Sequence, residues 1–168
     1  TKVKDAALGA ISDALEANAK LVLEANQKDL EAARQRGTKG ALLDRLMLDD
    51  KRLAAMAKSV REIASLPDPV GEVVSRTTRP NGLSVTRVRV PLGVIAMIYE
   101  ARPNVTVEAS ALTLKAGNAV VLRGGSEAER SNAALAKIIG DALEASSVPR
   151  AAVQVLPFTD RDAVRVLL

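Results

Sequence analysis

The chain has 168 residues, of which 48% are apolar and 1% aromatic, and its 24 basic and 20 acidic residues give a net charge of +4. This length and apolar content predict a folded domain with a substantial core and exclude a wholly disordered chain. Binding of nucleic acid is disfavoured, because basic and acidic residues interleave and aromatic rings are scarce. The sequence contains neither Cys nor His, so it offers no thiolate, no imidazole base and no metal site built from either.

The first 69 residues predict a helical segment. Apolar residues recur at helical spacing from Val3 to Gln35, with Asn18 and Asn26 as candidate interruptions or caps, which indicates one long helix or two consecutive ones. A short helical turn follows at ALLDRL (residues 41–46), and Asp49 is placed to cap a helix over about residues 50–64. Prolines at 67 and 69 close the segment, whose expected role is packing and assembly.

Residues 70–168 predict an α/β unit. LSVTRVRV (83–90) alternates apolar and polar side chains like a half-exposed strand, whereas VIAMIY (94–99) is an apolar run typical of a strand buried on both faces. Further elements alternate along the chain: a helix at 105–116, a strand at 119–122, a helix at 127–145, a strand at 153–156 and a helix from 159. This order predicts a parallel sheet with helices on both faces, as in an incomplete doubly wound, Rossmann-like domain.

Ligands of such sheets bind at the carboxyl ends of the strands, where the sequence places two polar loops. In one of them, Arg123, Gly124, Gly125 and Ser126 follow a predicted buried strand and open a helix, so that free backbone N–H groups and the positive helix end would suit a phosphate. The alternative is a tight turn in which Ser126 caps the helix and Glu129 completes a capping box, without a ligand. The spacing matches neither GxGxxG nor a P-loop, and both interpretations stay open.

The other loop runs from the end of the apolar strand into the next predicted helix. Glu100, Ala101, Arg102, Pro103 and Asn104 bring a carboxylate, a guanidinium and an amide to a place where an enzyme would handle a substrate. The alternative is that Asn104 is the N-cap of the helix, with Arg102 paired to Glu100 or solvated. Caps are far commoner than catalytic amides, so the residues alone favour the cap.

The segment from Pro91 to Asn132, PLGVIAMIYEARPNVTVEASALTLKAGNAVVLRGGSEAERSN, resembles the γ-glutamyl phosphate reductases, most specifically at YEARPNVT and VLRGGSEA. The upstream RPNGLSVTRVRV and ALLDRL fit the same family, and the region is more distantly similar to the aldehyde dehydrogenase superfamily. The resemblance implies an oxidoreductase of proline biosynthesis that uses NADPH to reduce L-glutamyl 5-phosphate to L-glutamate 5-semialdehyde, with a cysteine thiolate displacing phosphate.

The resemblance also implies roles for individual residues. Asn104 matches the superfamily asparagine whose amide helps to hold the oxyanion. The nicotinamide side would be lined by the backbone of Tyr99, Glu100, Ala101 and Arg102. The loop that handles the adenosine ribose and a 2′-phosphate is matched by Arg123, Gly124, Gly125, Ser126 and Glu127. This loop is one residue longer here than in the superfamily, so the residue that replaces the superfamily lysine stays open.

The chain contains no cysteine to act as the nucleophile. If the resemblance holds, the chain is an inactive N-terminal portion, with a helical segment at 1–69 and part of an NADPH-binding domain at 70–168. The alternative is a non-catalytic nucleotide-binding or interaction module of aldehyde-dehydrogenase-like fold. The resemblance further implies a homo-oligomer and a functional association with glutamate 5-kinase. No signal-peptide pattern or membrane-length apolar run is present, which predicts a cytoplasmic protein.

Overall fold

Helices form the first part of the chain in the computed structural model, which describes residues 2–157 and 165. They are α1 (Lys2–Ala17), α2 (Ala19–Gln35), α3 (Ala41–Leu46) and α4 (Asp50–Ser65). The Asn18 side-chain amide donates to the Ala14 carbonyl at 2.8 Å and ends α1, so the sequence forms two consecutive helices rather than one. Asp49 caps α4 as predicted, since its carboxylate accepts the Arg52 backbone N–H at 2.7 Å.

A hairpin follows the helices. Strand β1 (Val73–Thr78) pairs antiparallel with β2 (Ser84–Val88), and every residue of both strands is exposed. The prediction of a half-exposed strand at 83–90 is therefore wrong in its burial, and β1 was not predicted. Alternation in a sequence shows only that one face of a strand is apolar, whereas burial requires an element that packs on that face, and the described residues provide none.

The second half contains a three-stranded parallel sheet in the order β3-β4-β5. Its strands are β3 (Val94–Ile98), β4 (Ala119–Arg123) and β5 (Val153–Val155), connected by α5 (Pro103–Lys115) and α6 (Glu129–Ala145). A helical segment followed by a parallel α/β unit is the predicted fold class, which is confirmed. The helix predicted from residue 159 falls almost entirely outside the described residues.

One face of the sheet is covered by helices. Ile95 and Met97 of β3 and Val120 and Leu122 of β4 join a core that also contains buried residues of α1, α4, α5 and α6. The helical segment and the α/β unit therefore share a hydrophobic core. The division at residue 69 stays a prediction about domain organisation.

The other face of the sheet is open in the part of the chain that the structure describes. Val94 of β3 is 68% exposed and Ile98 is 44% exposed, so the prediction that this strand is buried on both faces is wrong. The reason is topological. Strand order β3-β4-β5 advances in one direction, which places the two connecting helices on the same face. No described helix is long and apolar enough to span a membrane.

Candidate functional site

The two predicted loops meet at the carboxyl edge of the sheet. Ile98 and Arg123 are register partners in the β3-β4 pair, and the Tyr99 backbone N–H donates to the Arg123 carbonyl at 3.0 Å. The loop of residues 99–104 and the loop of residues 123–127 therefore run side by side from adjacent strands. This edge is where parallel sheets bind their ligands.

Neighbouring side chains fill the space beside both glycines of the second loop. Gly124 and Gly125 are buried, and a β-carbon would overlap the Asn132 side-chain amide at the first position and the Glu127 carboxylate at the second. The space beside each glycine is thus filled by the protein itself. Close approach of an anion to the backbone is not needed to account for them.

The capping-box interpretation of the start of α6 does not match the structure. A short 3-10 turn (Ser126–Ala128) precedes α6, and neither helix start has a side-chain cap from its own N-cap residue. The predicted capping box between Ser126 and Glu129 is absent. The cap comes instead from Asp29 of α2, far away in the sequence.

Asp29 is a buried carboxylate, 1% exposed, that accepts hydrogen bonds at the amino end of α6. Its Oδ2 accepts the Ser131 backbone N–H at 2.8 Å and the Ser131 hydroxyl at 2.7 Å, and its Oδ1 accepts the Arg130 backbone N–H at 3.3 Å. An anionic side chain therefore already occupies the helix end that the sequence offered to a phosphate. The backbone donors left for a ligand are those of the loop before α6.

Glu127 brings an unsatisfied acceptor to this loop. Its Oε2 is buried and has no hydrogen-bond partner among the described residues. Such an atom calls for a donor, because buried carboxylate oxygens are nearly always hydrogen-bonded. Arg123 is also buried, with 9% of its surface exposed, whereas Ser126 is exposed.

Tyr99 is part of a hydrogen-bonded chain that crosses three elements. Thr106 of α5 donates its hydroxyl hydrogen to Asn132 Oδ1 of α6 at 2.8 Å, so the contact of 2.6 Å between the Tyr99 and Thr106 hydroxyls has Tyr99 as its donor. Burial raises the pKa of the Tyr99 phenol. The tyrosine hydroxyl thus links the first loop to α5 and, through Thr106, to α6.

The first loop enters α5 two residues earlier than predicted. Pro103 is the first helical residue and Arg102 is the N-cap, so Asn104 lies in the first turn, and the expectation of an Asn104 cap is wrong. Its amide donates to Glu108 Oε1 at 3.3 Å. Ala101, with φ of 41°, adopts a left-handed conformation that is uncommon without glycine, a type of strain that concentrates at functional sites.

Two clefts open beside these loops. The larger, of about 700 Å³, lies between α6 and β5 and is lined by Gly124, Gly125, Asn132, Lys137 and Arg150 among others. The smaller, of about 340 Å³, lies between α3, α4 and the start of α5 and includes Asn104. The sequence reasoning missed Asn132, Lys137 and Arg150, whose positions give no pattern that separates them from an ordinary helix surface. No group of His, Cys, Asp or Glu side chains in the described part of the chain is arranged to hold a metal.

Comparison with known proteins identifies the fold family. The aldehyde dehydrogenase family profile matches residues 5–168. The chain belongs to the aldehyde dehydrogenase family. It is 56% identical over 168 residues to the γ-glutamyl phosphate reductase of Moorella thermoacetica. The aligned region covers all of this chain and 40% of that protein. The chain thus spans about 40% of the length of the curated relatives that it matches.

Solved structures support the same assignment. The crystal structure of γ-glutamyl phosphate reductase from Thermotoga maritima superposes with a TM-score of 0.93 at 47% identity, covering 97% of this chain and 39% of that one. A succinic semialdehyde dehydrogenase from Streptococcus pyogenes, solved in complex with NADP+, superposes with a TM-score of 0.71 at 16% identity, covering 98% of this chain and 32% of that one. The second comparison shows the shared fold.

Proposed function

We propose that the chain is the N-terminal part of an NADPH-dependent γ-glutamyl phosphate reductase, which converts L-glutamyl 5-phosphate to L-glutamate 5-semialdehyde and phosphate in proline biosynthesis. The observation that carries this proposal is the meeting of the two strand-end loops at one sheet edge, in a chain similar over its whole length to γ-glutamyl phosphate reductases. Residues 70–168 would contribute part of a Rossmann-like cofactor domain, and residues 1–69 its helical neighbour.

The residues beside the larger cleft suit a nicotinamide dinucleotide. A ribose hydroxyl would give Glu127 Oε2 the donor that it lacks, and the backbone of residues 99–102 would face the nicotinamide half. Arg123 would bind a 2′-phosphate, whereas the negative charge of Glu127 would repel it. A preference for NADPH therefore requires that the attraction by the Arg123 guanidinium exceed the repulsion by the Glu127 carboxylate. When bound, NADPH supplies the hydride that reduces the acyl carbon.

Asn104 would donate to the oxyanion that forms on the substrate carbonyl. Its amide has two N–H groups, and Glu108 accepts one of them at 3.3 Å, which orients the side chain and leaves the second N–H for the substrate. Because Asn104 lies within the first turn of α5, its backbone is held by the helix. A donor held in place before the reaction needs no reorientation as charge develops, which is the requirement for an oxyanion site.

The nucleophilic cysteine of the proposed mechanism is not among the 168 residues, so we expect the chain alone to be inactive. The complete enzyme would act in the cytoplasm as a homo-oligomer, functionally associated with glutamate 5-kinase. The exposed valines of the β1-β2 hairpin, such as Val73 and Val85, would be covered either by the rest of the complete enzyme or by a second subunit.

The test compares the chain with a polypeptide extended to the length of its relatives. We expect the extended polypeptide to oxidise L-glutamate 5-semialdehyde with NADP+ in a phosphate-dependent manner, and the 168-residue chain to show no turnover above that of a mock purification. Absence of phosphate-dependent turnover in the extended polypeptide would contradict the proposal. Titration of the chain with NADPH, followed by nicotinamide fluorescence, then shows whether it acts as a non-catalytic binding module.

A further inference from the structure

The smaller cleft combines both charge signs around the proposed oxyanion donor. Its walls come from the end of α3, from α4 and from the first turn of α5. Charged residues dominate it: Asp44, Arg45, Arg52, Arg102 and Glu108. Its volume of about 340 Å³ is at the lower end of the range for small-molecule sites, about 300–1,000 Å³.

Two of the three guanidinium groups are available to a ligand. Arg52 is engaged, since it donates to the Asp44 carboxylate at 2.7 Å and to the Met47 carbonyl at 2.9 Å. The guanidinium groups of Arg45 and Arg102 make neither a hydrogen bond nor an ion pair within residues 2–157 and 165. A guanidinium presents a fork of donors that matches a carboxylate.

Glu108 supplies the opposite charge. One of its oxygens accepts the Asn104 amide at 3.3 Å, which leaves the other oxygen free to accept from a cation. A carboxylate next to unpaired guanidinium groups is complementary to the zwitterionic end of an α-amino acid, whose ammonium and carboxylate groups are attached to the same carbon.

We propose that this cleft binds the α-amino acid end of the substrate, an inference that rests on the proposed function. Arg45 and Arg102 bind the α-carboxylate, and Glu108 binds the α-ammonium group. In L-glutamyl 5-phosphate the reacting carbonyl is three carbon–carbon bonds from the α-carbon. A substrate whose carbonyl lies at Asn104 therefore places its α-carbon within the same small cleft. The charges of Arg45, Arg102 and Glu108 thus determine the choice of substrate.

The experiment uses the extended polypeptide and four aldehydes, assayed with NADP+ and inorganic phosphate. L-Glutamate 5-semialdehyde carries both α-substituents, 5-oxopentanoate lacks the ammonium group, 4-aminobutanal lacks the carboxylate, and butanal lacks both. The variants are Arg45→Gln, Arg102→Gln and Glu108→Gln, the last of which keeps an acceptor for Asn104. Arg34→Gln, an exposed arginine of α2 outside the cleft, is the control.

We expect Arg45→Gln or Arg102→Gln to lower kcat/KM for the two carboxylate-bearing aldehydes by about tenfold to a hundredfold more than for 4-aminobutanal, as for loss of a charge-assisted hydrogen bond. Glu108→Gln should affect the two ammonium-bearing aldehydes selectively, and Arg34→Gln should match the unsubstituted enzyme. Equal losses for all four aldehydes would overturn the inference, because they indicate a structural role or the positioning of Asn104.

A second outcome would also overturn the inference that the smaller cleft binds the α-amino acid end of the substrate. If the arginine variants raise the KM for inorganic phosphate and leave discrimination among the aldehydes unchanged, the guanidinium groups bind the phosphoryl group instead. The proposed function fails in a different way, since an unsubstituted enzyme without phosphate-dependent turnover of L-glutamate 5-semialdehyde would contradict the reaction itself.

Discussion

Asp29 is the residue whose replacement tests the structure most directly. In Asp29→Ala, the Ser131 backbone N–H and hydroxyl both lose an acceptor that lies 2.8 and 2.7 Å away. A buried donor left unsatisfied costs about 1–3 kcal/mol, so the two together cost about 2–6 kcal/mol. The substitution also removes the desolvation cost of a buried carboxylate, which lowers this sum. Loss of the ion pair with Arg130 adds little to the sum, because the Arg130 side chain is 56% exposed. We therefore expect a loss of about 3 kcal/mol of unfolding free energy.

The matched control is Asp13→Ala. Asp13 also lies inside a helix, so both substitutions gain the same helix propensity, but its side chain is 75% exposed and pairs with Arg61 at 2.9 Å. An exposed ion pair of this kind contributes about 0–1 kcal/mol. Urea unfolding followed by circular dichroism gives both free energies, provided that the denaturant slope is unchanged. An equal loss in the two variants would refute the assignment of Asp29 as the cap of α6.

Three further predictions concern the loops. In the extended polypeptide, Asn104→Ala should lower turnover by about two to three orders of magnitude with little change in melting temperature, and near-normal turnover would remove Asn104 from the oxyanion site. Arg123→Ala should weaken NADPH binding by about one to two decades more than NADH binding in a fluorescence titration, and equal losses would exclude a 2′-phosphate contact. Tyr99 is the only tyrosine of the 168 residues, so an ultraviolet titration reports on it alone, and its midpoint should lie above the ordinary value of about 10 because burial raises the pKa. Because the Tyr99 pKa is higher in the folded protein than in the unfolded one, the contribution of the phenol to the free energy of unfolding is complete below the unfolded pKa and is lost as the pH rises through the folded pKa. Tyr99→Phe should abolish this pH-dependent loss of stability.

The sequence predicted most of the elements because their signals are local. Helical periodicity and the Asp49 cap located α1 to α4, and the apolar runs located β3, β4 and β5. Burial could not be predicted in the same way. Strand β3 has the composition of a strand covered on both faces, but exposure depends on which elements pack against it, and sequence order alone does not provide that.

Two misassignments in the site had signals in the sequence. Proline is favoured at the first position of a helix, so Pro103 already indicated that Asn104 lies inside α5 rather than at its cap. Asn26 and Asp29 lie at helical spacing between Val22 and Ala33, on the stripe of α2 that is otherwise apolar. A polar residue at a core position predicts a buried partner, but the identity of that partner, Ser131 of α6, depends on the tertiary fold.

The polar contacts of α2 change the role assigned to the helical segment, for which the sequence indicated only packing and assembly. The Asn26 amide donates to the Ser131 hydroxyl at 3.1 Å and to the Leu46 carbonyl at 2.8 Å, so it joins α6 to the end of α3. Apolar contacts tolerate small shifts, whereas buried hydrogen bonds fail when their partners move, so these bonds fix α3 relative to α6. Since Arg45 of α3 lines the smaller cleft and α6 lines the larger one, the helical segment sets the distance between the two clefts.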